Sequence, residues 1–285
     1  MPKKTCIVTL KGGIGNQLLQ YNFAKLLQDE GYSVKIDNRF FWDYRFSVGN
    51  TERNQLFDPS FFGFDNMKRL EYLFRDNFEK IYHSSFVKNN LVFFQNYIFG
   101  FFKDQSSFDL INLPKISVFD GYWQDVNDLD SYKRFLIEKL QKSKEFKMAI
   151  NAKKLSGSTM LHIRRTDYIK LNQELENDYY FKAIKIMNEK IKDFNYSIFT
   201  DDKRWAENQV FSKKALNIFS PEDFKDDFSS FCEMIKFENY IIANSTYSYT
   251  VALLGSMNKS LVIYPKIWFK DRKKQINFKE SWISV

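Results

Sequence analysis

The hydrophobic positions of this chain change period several times, and the changes mark its elements. Thr5–Leu10 is a short β-branched run, which predicts a buried strand. After the turn Gly12-Gly13-Ile14-Gly15, Leu18, Leu19, Phe23, Leu26 and Leu27 recur at helical spacing, and Gly31 stands where a helix C-cap belongs. Tyr32–Asp37 predicts a second strand, so the chain opens as the β-α-β unit of a parallel sheet. From about Asn38 to Leu155 the pattern is less regular, with aromatic clusters, a helix over Leu129–Lys147, and loops around Pro59 and Pro114. The Lys/Ser-rich segment Gln141–Ser158 reads as a hinge between halves. Beyond it, strands are predicted at Thr159–Ile163, Ser197–Thr200, Leu216–Phe219, Tyr240–Ala243 and Leu261–Tyr264. Helices over Asp178–Lys192 and Asp223–Glu238, and near Tyr249–Leu254, alternate with them. The pattern predicts an α/β chain of two nucleotide-binding-type domains, residues 1–150 and 151–285, without internal repeats.

Composition narrows the function classes. Hydrophobic residues make up 44% of the 285 residues, enough for a core in each half. With 31 Phe and 16 Tyr against 10 Gly and 5 Pro, a disordered chain is excluded. Aromatic rings suit sugar surfaces, although a Phe-rich core accounts for most of them. The net charge of +8 invites an acidic partner. The 43 basic residues are nevertheless scattered among 35 acids, and no zinc-finger, RRM or KH signature appears, so no nucleic acid is expected. A diphosphate ligand, or the anionic inner face of a membrane met peripherally, fits better. Cys6, Cys232, His83 and His162 lie far apart with no metal-ligand spacing, which argues against a zinc site. Both cysteines read as small apolar fillers in a reducing compartment. Thr5–Leu10 is too short for a signal peptide, and Leu91–Phe102, interrupted by Gln95, Asn96 and Gly100, is too short for a span. A cytoplasmic protein is expected.

Four segments carry chemistry. Gly12–Gln17 joins the first strand to the first helix, where glycines let backbone N–H groups approach a phosphate. The same loop reads as a dinucleotide fingerprint with Asp37 as the ribose acid, except that the third glycine position is Leu18. His162-Ile163-Arg164-Arg165-Thr166-Asp167 leaves a predicted strand at its carboxyl end, and alternation puts His162, Arg164 and Thr166 on one side if the strand continues. A guanidinium offers a fixed fork of donors to a leaving diphosphate. A surface Arg/Asp salt-bridge cluster is the plainer alternative. Asp201-Asp202 closes another strand, as metal ligands or, more simply, as a helix cap. Asn244-Ser245-Thr246-Tyr247-Ser248 places amides and hydroxyls at a helix start, to hold phosphate oxygens or to cap.

Taken in order, these segments resemble the α-1,2-fucosyltransferase family, within the superfamily shared with α-1,6- and protein O-fucosyltransferases. The matching residues are the GG-x-GNQ-x-x-QY start at Gly12–Tyr21, Gly121-Tyr122-Trp123-Gln124, and the H-x-R-R-x-D-Y core at His162–Tyr168. Tyr179-Tyr180, Phe199-Thr200-Asp201-Asp202 and Ile241–Thr246 follow in the same order. The resemblance implies a GT-B architecture, two Rossmann-type domains facing across a cleft, with the acceptor on the N-terminal domain and the donor on the C-terminal one. It implies that the last residues pack back on the N-terminal domain. The implied reaction moves L-fucose from GDP-β-L-fucose with inversion to a glycan acceptor, free or lipid-linked, α-1,2 to galactose, in surface polysaccharide synthesis. It needs no cofactor and no metal. Arg164 and Asp167 would be catalytic, with Glu174 as the alternative base. Gly13, Gly15, Asn16, His162, Asn244, Ser245, Thr246 and Ser248 would bind the donor. This chain departs from the family at Thr166 (usually Gly), at Phe237-Glu238-Asn239 (usually Cys-Lys-His) and at Tyr249-Thr250 (usually paired Trp). It also has Ser230 where an acid is common, with Asp227 and Glu233 nearby. These departures bear on acceptor, linkage and guanine reading. A non-catalytic nucleotide- or glycan-binding protein of the same fold, a transferase using another GDP-sugar and a nicotinamide-dependent dehydrogenase are the competing readings.

Overall fold

The computed structural model describes residues 4–43, 54–69, 71–72, 75–77, 99–104, 109–110, 112–271 and 276–285. They fall into two compact units that divide after Trp123. In the first unit, β1 (Thr5–Thr9), β2 (Ser33–Asp37), β3 (Asp65–Asn66), β4 (Phe99–Lys103) and β5 (Ile116–Asp120) form a sheet of order β3-β2-β1-β5-β4. Every pair in it is parallel.

Helix α1 (Ile14–Asp29) connects β1 to β2 and buries Leu18, Leu19, Tyr21, Phe23, Ala24 and Leu27, while Leu26 faces outward. Gly31 has φ +88° and donates its N–H to Gln28 O, the left-handed stop expected from its position. Around Pro59 the expected loop is instead a short helix, α2 (Pro59–Phe62), because the Asp58 carboxylate accepts from Ser60 N and proline suits the first turn. Much of the aromatic excess packs inward: Tyr21 stacks on Phe62 at 4.1 Å, Phe23 on Trp123 at 4.4 Å, and Phe102 on Phe119 at 4.9 Å. Of the apolar stretch Leu91–Phe102, residues 99–102 lie in β4, and the remainder, like His83, lies outside the described residues.

In the second unit, helices α3 (Leu129–Leu140) and α4 (Lys144–Ile150) precede β6 (Ser158–Ile163). The single helix expected over Leu129–Lys147 is two, because Ser143 leaves the helix and caps a new one, accepting from Phe146 N at 3.4 Å. Helix α5 (Thr166–Lys170) and helix α6 (Asn177–Lys190) lead to β7 (Asn195–Thr200), and α7 (Lys203–Glu207) leads to β8 (Ile218–Phe219). Then come α8 (Asp227–Ile235), β9 (Asn239–Ile241), α9 (Thr246–Gly255), β10 (Val262–Tyr264) and β11 (Ile283–Ser284). The strands pair in parallel in the order β11-β10-β9-β6-β7-β8.

The units therefore divide near residue 123 rather than 150. Helix α4 packs on α8 and α3 on α9, which ties both early helices to the second core. The last residues add strand β11 to the second sheet beside β10. Aromatic packing secures them there: Trp282 lies 5.9 Å from Tyr249, and Phe278 stacks on Tyr264 at 3.8 Å.

Both sheets share one property that positions ligands. Strand order reverses at β1, which lies between β2 and β5, and at β6, which lies between β7 and β9. In open parallel sheets ligands sit outside the carboxyl ends of the strands at such reversals.

Candidate functional site

Strand β6 is buried along its whole length, as a central parallel strand should be, and it ends at Ile163. Strand alternation therefore does not reach Arg164 and Thr166. What separates Arg164 from Arg165 is a turn: Arg165 has φ −135° and ψ −51°, and α5 begins at Thr166. Arg164 NH2 donates to Asp167 Oδ2 at 2.8 Å, and NH1 lies 2.9 Å from Asp201 Oδ2. Burial works against the Arg164 charge, but the Asp201 and Asp167 carboxylates more than offset it and raise the guanidinium pKa. Arg165 goes elsewhere, its guanidinium 3.8 Å from the centroid of the Trp205 ring and 3.4 Å from Asp202.

Asp201 follows β7 and accepts from Arg165 N at 2.8 Å, Thr166 N at 3.3 Å and Thr166 Oγ1 at 2.6 Å. Asp202 accepts from Trp205 N at 3.1 Å and so caps α7. The Asp pair is thus used as anchor and cap. Among the described residues no group of three or more His, Cys, Asp or Glu side chains forms a metal-binding cluster.

On the other side of β6, the chain leaving β9 forms the turn Asn244-Ser245 and enters α9 at Thr246, earlier than its apolar spacing suggested. Ser245 is the N-cap residue, and its side chain makes no capping hydrogen bond. Ser248 is fully buried, with its hydroxyl turned to Ala243 O and Ser245 O, so it supports the turn. Asn244 is buried too. Its amide donates to Gln173 O at 2.7 Å and Trp268 O at 3.3 Å, and its main-chain oxygen accepts from the Tyr168 hydroxyl at 3.0 Å. It therefore joins the Gln173 loop and the Trp268 segment to the floor of the site. His162 is buried beside Tyr247, its Nδ1 without a hydrogen-bond partner, and burial together with nearby Arg164 pushes its pKa down to about 3. It is a neutral imidazole at physiological pH. Glu174 lies on the loop between α5 and α6, 3.9 Å from Lys270 Nζ.

The family model described as Glycosyl transferase family 11 matches residues 5–285. The chain belongs to this family. It is 28% identical over 303 residues to the O-antigen biosynthesis glycosyltransferase WbnK of Escherichia coli, covering 97% of this chain and 99% of that relative. It is 27% identical to an α-1,2-colitosyltransferase of Escherichia coli, with 98% of each chain covered. Among solved structures, the fucosyltransferase NodZ from Bradyrhizobium is similar at a TM-score of 0.48 and 12% identity, over 89% of this chain and 94% of that one.

In this family-11 glycosyltransferase the first unit has its own strand-order reversal. Gly12 has φ +80°, and a Cβ there would meet Asn16 Nδ2 at 2.9 Å and the Tyr122 ring at 3.2 Å, so only glycine fits comfortably. Gly13, the N-cap of α1, has open space around it, whereas Gly15 is buried in the helix. Two glutamines of the Gly12–Tyr21 motif organise this region. Gln17 donates to Gly12 O and Asn54 O, both at 2.9 Å, and accepts from Leu56 N at 3.0 Å. Gln20 donates to Gly121 O at 2.9 Å and accepts from Lys11 N at 2.9 Å. They join the glycine loop to the Gly121–Trp123 turn after β5. Asp37, the would-be ribose acid of a dinucleotide enzyme, is buried and ion-paired with both Arg39 and Arg75, so its carboxylate is already engaged.

Proposed function

We propose that the chain transfers L-fucose from GDP-β-L-fucose to a hydroxyl of an acceptor glycan, α-1,2 to galactose, with inversion at the anomeric carbon. The observation that carries this reading is Arg164, half-buried at the strand-order reversal beside the start of α9. Leaving-group departure breaks the bond from the sugar C1 to the β-phosphate oxygen, and the electron pair stays on the diphosphate. A preorganised guanidinium and the N-terminal N–H groups of α9 suit that growing charge. Ser245 and Thr246 would meet phosphate oxygens, with His162 beside the nucleotide. Asn244 and Ser248 would act by holding the turn. In the first unit, Gly13, Gly15 and Asn16 are the proposed donor contacts. The acceptor oxygen bonds to C1 from the opposite face, and its proton passes to Asp167 or Glu174.

A role in cell-surface polysaccharide synthesis, with a glycan or lipid-linked glycan acceptor at the cytoplasmic face, is supported by the similarity to an O-antigen biosynthesis enzyme. No helix among the described residues is long and apolar enough to cross a membrane. The test is incubation with GDP-fucose and galactose-terminated acceptors, reading GDP release and the linkage of the product. A non-catalytic binding protein would release no GDP. A second donor is favoured by one observation, the similarity to an α-1,2-colitosyltransferase. Colitose differs from fucose only in lacking the 3-hydroxyl, so GDP-colitose belongs in the same assay. Faster turnover of GDP-colitose than of GDP-fucose would reassign the donor.

A further inference from the structure

We infer that Asp201 is the positioning residue for Arg164, a role that rests on the proposed diphosphate chemistry. The Asp201 carboxylate is held at one end by Arg165 N on Oδ1 and at the other by Thr166 N and Thr166 Oγ1 on Oδ2. Its side chain is 10% exposed, so backbone and hydroxyl donors hold it with little access to solvent. Against this fixed oxygen lies Arg164 NH1, at 2.9 Å. Three methylenes with freely rotating torsions separate the guanidinium from its backbone, so its aim must come from such a partner. NH2, now on Asp167, is the edge that a diphosphate can compete for. Asp201 touches no reacting atom in this scheme. It sets where the Arg164 fork points, and a misplacement of about 1 Å can lower turnover on the order of a hundredfold.

A double-mutant cycle tests the assignment. Asp201→Asn keeps an acceptor for Arg165 N and removes the charge partner of Arg164. In the otherwise unaltered protein it should lower kcat on the order of tenfold to a hundredfold while KM for the donor moves less than about threefold. In an Arg164→Ala background the same change should lower turnover less than about twofold further, because the group being aimed is gone. Thr166→Val removes one donor to Asp201 without touching Arg164 and should keep turnover within about threefold. If Asp201→Asn does not fold, Asp201→Glu, whose carboxylate is displaced by one methylene, is read by the same criteria. Losses that multiply in the Arg164→Ala background overturn the inference, since Asp201 then acts on its own. A Thr166→Val loss equal to that of Asp201→Asn overturns it in favour of helix capping alone. If the unaltered protein turns over no GDP-sugar, the cycle is read on GDP and pyrophosphate binding by calorimetry. Binding of neither would overturn the proposed function together with this inference, whereas binding with multiplying losses overturns this inference alone.

Discussion

Arg164 and Arg165 are consecutive, yet Arg164 NH1 lies 2.9 Å from Asp201 while the Arg165 guanidinium lies 3.8 Å from the Trp205 ring centroid. Their substitutions should therefore differ. Arg164→Lys keeps the charge but loses the fork that spans Asp201 and Asp167, and turnover should fall on the order of a hundredfold. Arg165→Lys gives up a ring contact and an ion pair within the unit's own packing, so it should lower the melting temperature more than kcat. Steady-state kinetics and thermal melts on both variants decide the matter. Equal losses of kcat would mean that the two arginines share the donor.

Much of this arrangement was legible in the sequence, because local pattern and fold agree there. The β-branched run, glycine turn and helical spacing of the first residues became β1, the Gly12–Gly13 turn and α1. His162–Asp167 stood out by sitting at a strand end. The role of Asp201 did not, since it depends on β6 and β7 being neighbours, a property of sheet order and not of sequence spacing. The inward turn of Ser248 was hidden for another reason. Ser248–Gly255 is buried throughout, so α9 has no polar face whose period could orient the hydroxyl. Ser143 ended a helix inside an otherwise continuous apolar period, which spacing alone does not register.

Gly12 and Gly13 separate backbone strain from ligand approach. Gly12→Ala forces a left-handed residue against Asn16 and Tyr122 and should cost about 1–2 kcal/mol or more in urea unfolding. Gly13→Ala meets open space at ordinary backbone angles, and stability should change by less than about 1 kcal/mol. If Gly13 allows close approach of the donor, the alanine variant should instead raise KM for GDP-fucose. A Gly13 variant with unchanged KM would remove it from the donor contacts.

The buried imidazole of His162 carries a pH signature. Its pKa, about 3 in the folded chain against an ordinary 6.5, is depressed, so between these values the unfolded chain binds the extra proton. The stability contributed by the neutral ring is complete above about pH 6.5 and is lost as pH falls toward 3. His162→Asn should flatten the acid side of the stability profile by up to one proton, about 1.4 kcal/mol per pH unit. Urea midpoints from pH 6.5 to 4 measure this. An unchanged slope in the variant would mean that His162 already titrates freely when folded.

Transfer should survive excess EDTA. The carboxylates of Asp201 and Asp202 are taken by Arg164, Arg165 and the first turns of α5 and α7, and Arg164 supplies the cation that a diphosphate requires. Activity lost to chelator and restored by Mg²⁺ or Mn²⁺ would make one of these aspartates a ligand in the working enzyme.

The proton acceptor is the last assignment to test, and the geometry makes the two candidates unequal. Asp167 shares Arg164 through a 2.8 Å bond, so a diphosphate arriving at NH2 competes with it directly. Displaced from the arginine, its carboxylate can turn toward the face of C1 opposite the departing diphosphate, where the incoming hydroxyl needs an acceptor. Glu174 sits farther along the chain, on a loop tied down at Gln173 by Asn244, and it faces Lys270 at 3.9 Å. Asp167→Asn should therefore abolish transfer while GDP affinity stays within a few-fold, with turnover and calorimetric binding measured on the same preparation. Collapse of GDP binding in that variant would give Asp167 a purely supporting role toward Arg164. Persistence of transfer there, with loss in Glu174→Gln, would move the base to the loop. Activity retained in both variants would mean that neither carboxylate is required as base, and that stabilisation of the departing diphosphate by Arg164 carries the rate.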